Sequence, residues 1–124
     1  MAEGKKILIV EDDFFIRDIY QKQFTKEGFN VEVSPDAENG LEKVKNEKPN
    51  LILLDLMLPK MSGLDLLKIL KADTDLKSIP VVILTNLGQD QAIKQGFDLG
   101  ADGYLIKSAY TPSQIVNEVR TYIK

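Results

Sequence analysis

The sequence predicts an α/β fold: five strand–helix units in succession, with the strands in one parallel sheet and helices on both of its faces. Three observations carry this. Short apolar runs recur along the chain, they are continuous rather than alternating, and a helical pattern comes after each of them. Continuous runs are how strands read when both faces are buried, as in a parallel sheet, and right-handed helical crossovers join such strands.

Ile7-Leu8-Ile9-Val10 is the first strand, and Phe15, Ile19, Tyr20 and Phe24 mark the apolar stripe of a helix after it. Phe29 to Val33 fits a weaker second strand. Ser34-Pro35 then reads as an N-cap and first-turn proline, with Ala37, Leu41 and Val44 at helical spacing. Leu51-Ile52-Leu53-Leu54 is the third strand. Ser62-Gly63-Leu64-Asp65 resembles a capping box ahead of Leu66, Leu67, Ile69 and Leu70. Val81-Val82-Ile83-Leu84 is the fourth strand, and Ala92, Ile93, Phe97 and Leu99 mark a helix weakened by Gly96. Tyr104 to Ile106 is a short fifth strand. Thr111-Pro112-Ser113-Gln114 opens the last helix, with Ile115, Val119 and Tyr122 on one stripe.

Composition bounds the chemistry. The 124 residues suit one domain, expected to span residues 1–124 with no output domain in this polypeptide. A 44% hydrophobic content supplies a core, and 28% charged residues argue for solubility. With no Cys there is no disulfide, thiolate nucleophile or zinc knuckle, and with no His there is no imidazole base or metal ligand. A bound metal must therefore accept oxygen ligands, which favours hard ions such as Mg²⁺. A net charge of −3 argues against a nucleic-acid partner, which calls for a basic face. No apolar stretch is long enough to span a membrane, and Met1 to Lys6 leads into too short an apolar run for a signal peptide. A cytoplasmic location is expected.

Ligands of open parallel sheets bind outside the carboxyl ends of the strands. Glu11, Asp12 and Asp13 come after the first strand, Asp55 after the third, Thr85 and Asn86 after the fourth, and Lys107 after the fifth. Singly, each has an ordinary explanation. Acidic residues cap helices, with Asp13 the natural cap here, a threonine suits a strand, and a lysine suits a surface. Asp55 is harder to dismiss, because it ends an apolar run and precedes Leu56, Met57 and Leu58, which also read as sheltered. Together, clustered carboxylates repel one another unless a cation intervenes. Mg²⁺ suits an all-oxygen site and bridges to phosphate. Asp55 then becomes a nucleophile toward phosphorus, with Lys107 and Thr85 placed to stabilise phosphoryl oxygens.

The fragments ILIVEDD, LILLDLMLPKMSG, VVILTN and GADGYLIK, in that order and at this spacing, make the chain resemble the receiver domains of two-component response regulators, of the stand-alone chemotaxis type. The resemblance covers nearly the whole chain. It implies the flavodoxin-like fold with strand order 2-1-3-4-5. It implies Asp55 as phosphoacceptor, Asp12 as a direct Mg²⁺ ligand, Glu11 acting mostly through water, and the Met57 carbonyl as a further ligand. Lys107 would pair with the phosphoryl group, and Thr85 would move inward to bond it while Tyr104 changes rotamer. The donor would be a histidine kinase or histidine phosphotransfer protein, since this chain has no histidine. The readout face would run from Ala92 to Tyr122, toward a protein partner, with the chain a monomer or a phosphorylation-dependent homodimer. No enzymatic turnover beyond self-phosphorylation and slow autodephosphorylation is implied.

The chain departs from that family's pattern at two places. Ser108 stands where proline usually succeeds the lysine, and Ala109 stands where an aromatic usually comes next, with Tyr110 one place later. A cis bond before a non-proline costs about 3–4 kcal/mol, so a trans Lys107-Ser108 bond or an altered loop is expected. Met57 and Leu87, at positions that tune phosphoryl loss in the family, are apolar and unable to orient an attacking water, which implies a long-lived phosphoryl group. Three other readings compete. A haloacid-dehalogenase-type phosphatase needs a D-x-D nucleophile pattern, which Asp55-Leu56-Met57 lacks. A flavin binder needs a phosphate loop where Glu11-Asp12-Asp13 stands. A pseudo-receiver would bind partners without phosphorylation.

Overall fold

In a computed structural model, residues 4–123 are described; Met1 to Glu3, the start of the segment that leads into an apolar run too short for a signal peptide, lie outside them, as does Lys124. The elements alternate as expected: β1 (Lys6–Val10), α1 (Phe14–Lys26), β2 (Asn30–Ser34), α2 (Ala37–Glu47), β3 (Leu51–Leu54), α3 (Gly63–Ala72), β4 (Val81–Thr85), α4 (Asp90–Asp98), β5 (Gly103–Ile106) and α5 (Pro112–Arg120). The five strands form one sheet in the order β2-β1-β3-β4-β5, and all four pairings are parallel.

The central strands β1, β3 and β4 bury both faces while the edge strands β2 and β5 are only partly covered, and the pleat sorts the side chains into two cores. Leu8, Val10, Ile52, Leu54, Val81 and Ile83 pack with Leu66, Leu67 and Leu70 of α3 and Val44 of α2. Ile7, Ile9, Leu51, Leu53, Val82 and Leu84 pack instead with Tyr20 and Phe24 of α1 and with Ile115, Val116 and Val119 of α5. A one-residue slip would exchange the two sets, so the register is firmly set.

Local chemistry closes most helices. Asp13 caps α1, its Oδ1 accepting the Phe15 and Ile16 N–H groups at 2.9 and 3.1 Å. Ser62 with Asp65, and Thr111 with Gln114, form the two expected capping boxes. The α2 cap differs from expectation. Ser34 is the last residue of β2, and Asp36 is the cap, accepting the Asn39 N–H at 2.7 Å. The buried Ser34 hydroxyl donates to the Asp36 carbonyl instead, so the strand runs on and Pro35 lies before the helix.

The stripe assigned to α1 is also corrected. Tyr20 and Phe24 are buried, but Phe15 is 76% and Ile19 51% exposed. The apolar residues of this helix cover more than the arc that faces the sheet, and the excess points outward. Phe97 of α4 is 48% exposed for a similar reason. Among the described residues, no helix is long and apolar enough to cross a membrane.

Candidate functional site

Register decides which side chains meet. Val10 pairs with both Ser34 and Leu54, so β1, β2 and β3 end level. The ladder carries on one step: the Glu11 N–H donates to the Ser34 carbonyl at 3.0 Å, and the Asp55 N–H to the Val10 carbonyl at 3.1 Å. The backbone thus holds both acids at one edge. Thr85 pairs with Ile106, which brings Lys107 to the same edge from β5.

Gly63 fixes the back of this edge. A Cβ there would sit 2.2 Å from the Asp55 carbonyl oxygen and 2.7 Å from the Leu56 Cα. The Gly63 N–H donates to the Leu56 carbonyl at 3.1 Å. Only glycine lets α3 begin directly on the backbone that carries Asp55, a close approach the sequence pattern alone does not reveal. In the connecting loop Leu56 is buried, but Met57, read from sequence as sheltered, is 59% exposed.

Glu11 and Asp55 are buried, at 3% and 6% exposure, while Asp12 stands open to solvent. Carboxylate oxygens of Glu11, Asp12 and Asp55 lie within 4.8 Å of one another. Lys107 bridges the two buried acids, its Nζ donating to Asp55 Oδ2 at 2.9 Å and pairing closely with Glu11 Oε1. The other Glu11 oxygen accepts the Asp13 N–H at 3.0 Å, and Asp55 Oδ1 accepts the Met57 N–H at 3.1 Å. Two carboxylates buried together need such partners, since an unpaired buried charge is costly.

Burial pushes the Glu11 carboxyl above its usual pKa, although Lys107 pulls the other way. For Lys107 burial alone lowers the pKa, but the bonds to Glu11 and Asp55 outweigh it, and the ammonium is held charged above its usual value. The site is therefore a fixed cation at the inner end of an acidic cluster whose outer member is open. With two buried acids, one exposed acid and no imidazole or thiolate, the donor set suits a hard divalent cation entering from solvent.

Thr85 is fully buried, and its Oγ1 accepts the Leu87 N–H at 3.4 Å, at the long limit of a hydrogen bond. Tyr104 pairs with Ile83 in register and donates its hydroxyl to the Leu87 carbonyl at 2.6 Å. Thr85 and Tyr104 therefore meet at the same residue, Leu87. Burial, with the Asp55 charge adding to it, raises the Tyr104 hydroxyl pKa.

No peptide among the described residues is cis, so Lys107-Ser108 is trans, and Lys107–Ala109 forms a single 3₁₀ turn that the sequence pattern did not predict. Asn86 reaches across to this turn, its Oδ1 accepting the Ser108 N–H at 3.0 Å. A cavity of about 200 Å³ opens beside it, lined by Ile16, Ile19, Tyr20, Asn86, Lys107 and Ser108, among others.

Comparison with known proteins agrees with this geometry. The family model described as "Response regulator receiver domain" matches residues 7–120. The DNA-binding response regulator MtrA of Mycobacterium tuberculosis is 34% identical over 120 residues, which are 97% of this chain and 51% of that protein. The chain spans about half the length of the curated relatives it matches. A CheY-like response regulator receiver domain protein from Methanospirillum hungatei superposes with a TM-score of 0.86 at 32% identity, covering 96% of this chain and 93% of that one. The chemotaxis protein CheY4 of Vibrio cholerae superposes with a TM-score of 0.90 at 24% identity, covering 97% and 99%.

Proposed function

The chain belongs to the response-regulator receiver family of two-component signalling, and on that basis we propose that it is a phospho-accepting switch whose acceptor is Asp55. The observation that carries the reading is the buried Asp55 carboxylate, 2.9 Å from the Lys107 ammonium and beside Glu11 and Asp12 at one sheet edge. The phosphodonor is the phosphohistidine of a histidine kinase or histidine phosphotransfer protein. An Asp55 oxygen bonds to phosphorus as the phosphorus–nitrogen bond of the donor breaks, and the departing imidazole keeps the electron pair.

Asp12, Asp55 and the Met57 carbonyl, with Glu11 adjacent, are the groups that would hold Mg²⁺. Its charge would offset that of the phosphoryl oxygens. Lys107 holds a phosphoryl oxygen from the inner side, where burial makes its charge count for more than it would in water. The Thr85 hydroxyl is held weakly in polar terms, since its hydrogen bond among the described residues is the long one from the Leu87 N–H, so a rotamer change gives up little hydrogen bonding. A turn toward the phosphoryl group releases Leu87, the residue that also accepts the Tyr104 hydroxyl. Contacts present only in the phosphorylated state then shift a two-state equilibrium of the face from Ala92 to Tyr122.

The exposed Phe15 and Ile19 lie one helical turn apart, with Ile19 lining the cavity at Lys107, and offer a protein donor an apolar landing surface. The output is contact with a protein partner, or with a second copy of the chain on phosphorylation. The chain's own chemistry is limited to taking up the phosphoryl group and losing it slowly.

Acetyl phosphate with Mg²⁺ tests the reading. Wild type gains one phosphoryl mass and Asp55→Asn gains none; an unlabelled wild type, under acetyl phosphate and under a phosphohistidine donor alike, leaves a phosphorylation-independent adaptor as the surviving reading. The same assay run over time reads the lifetime. With apolar Met57 and Leu87 flanking the site, decay is slow, and Met57→Asn speeds it several-fold by giving water a polar partner. An unchanged decay rate would remove Met57 from that role.

A further inference from the structure

We infer that Asn86 is a positioning residue for Lys107, acting through a side-chain strap from the end of β4 to the turn after β5. The strap is the 3.0 Å bond from the Ser108 N–H to Asn86 Oδ1. Its two ends are the residues directly after Thr85 and Lys107, the two groups that would hold the phosphoryl oxygens. The backbone ladder between β4 and β5 stops at Thr85 and Ile106. Asn86 extends that pairing past the last ladder pair, using a side chain where the backbone no longer reaches.

Little else holds the turn. Lys107–Ala109 has no side-chain cap, and the turn's closing bond, from the Tyr110 N–H to the Lys107 carbonyl, is a long 3.4 Å. On the other side the strap and Lys107 border an open cavity of about 200 Å³ rather than packed side chains. The bond also needs this chain's own residue at position 108. Ser108 has an N–H to donate, and a proline there would have none. The strap therefore sets the path of the backbone that aims the lysine, while the ion pairs to Glu11 and Asp55 set only the far end of its side chain.

The inference rests on Asp55 being the phosphoacceptor, and a double-mutant cycle tests it through the rate of labelling by acetyl phosphate. Asn86→Ala slows labelling about fivefold, the worth of one net hydrogen bond. Ser108→Pro removes the donor, so Asn86→Ala added to it costs nothing further. Hydrogen exchange of the Ser108 amide gives a direct readout. Asn86→Ala speeds it, and Asn86→Asp, which keeps an acceptor oxygen, preserves its protection. Mg²⁺ affinity stays at the wild-type value in Asn86→Ala, since the carboxylates are untouched, and the thermal midpoint falls by only the few degrees that one hydrogen bond is worth, since both cores are untouched. Equal slowing by Asn86→Ala in the wild-type and Ser108→Pro backgrounds would overturn the strap, as would an unchanged rate or a Ser108 amide indifferent to both Asn86 variants. If wild type labels normally but these results fail, only the strap falls. If wild type does not label at all, the receiver reading falls and takes the strap with it.

Discussion

Helices α3 and α4 are nearly equal in length, at ten and nine residues, yet they are held very differently. α3 buries Gly63, Leu66, Leu67 and Leu70, carries a capping box, and starts against the backbone of Asp55. α4 buries only Gly96, has no side-chain cap at Gln89, and has no basic residue in its last turn. Its Phe97 is half exposed, with its ring centroid 6.4 Å from that of Tyr104. One helix clamps the backbone of Asp55 and the other rests lightly beside Tyr104. An element with few buried contacts costs little to shift, so one fold combines a stiff part and a soft part.

Substitutions can break this contrast. The largest effect is expected at Gly63→Ala, where the new methyl would meet backbone atoms of Asp55 and Leu56 that cannot rotate away. A loss of about 3 kcal/mol or more is expected, read from the urea midpoint, together with weaker labelling of Asp55. Next comes a matched pair of truncations. Leu67→Ala, in the buried face of α3, should cost about 3 kcal/mol, and Ile93→Ala, half-buried in α4, about 1 kcal/mol or less. Equal losses would mean that α4 is as firmly packed as α3.

The smallest change in stability is expected at Gly96→Ala. Helix propensity favours alanine by about 1 kcal/mol, while its methyl would press on the Ile83 Cδ1 at 2.8 Å and the Tyr104 ring at 3.3 Å. These are side-chain atoms that can give, so the net change should stay within about 1 kcal/mol. The pressure should instead appear as shifted ring resonances of Tyr104 by NMR. A loss matching that of Gly63→Ala would show that α4 is not the soft element.

The strands and the acids behind them were readable in the sequence because continuous apolar runs mark a doubly buried sheet, and residues just past the end of a parallel strand arrive at the binding edge. The capping boxes of α3 and α5 were readable because they are local. Less local features were not. Ser34 looked like a cap, but pairing with β1 kept it in the strand and passed the role to Asp36. Phe15 and Ile19 matched a helical stripe, but a stripe does not say how wide an arc the sheet covers. Asn86 was placed after the fourth strand, but its bond to Ser108, 22 residues away, depends on β4 and β5 lying side by side.

Periodicity and residue type, which act over a few positions, were enough to set the order of strands and helices. They were also enough to exclude thiol and imidazole chemistry and to identify the acids and the lysine at the strand ends. Three other outcomes waited on the folded chain: Lys107 bridges Glu11 and Asp55, Thr85 and Tyr104 both contact Leu87, and α3 is clamped while α4 is not. Those outcomes depend on register and on close approach between distant segments. Both are set by how the two cores pack against the sheet, and neither is written in any single stretch of the chain.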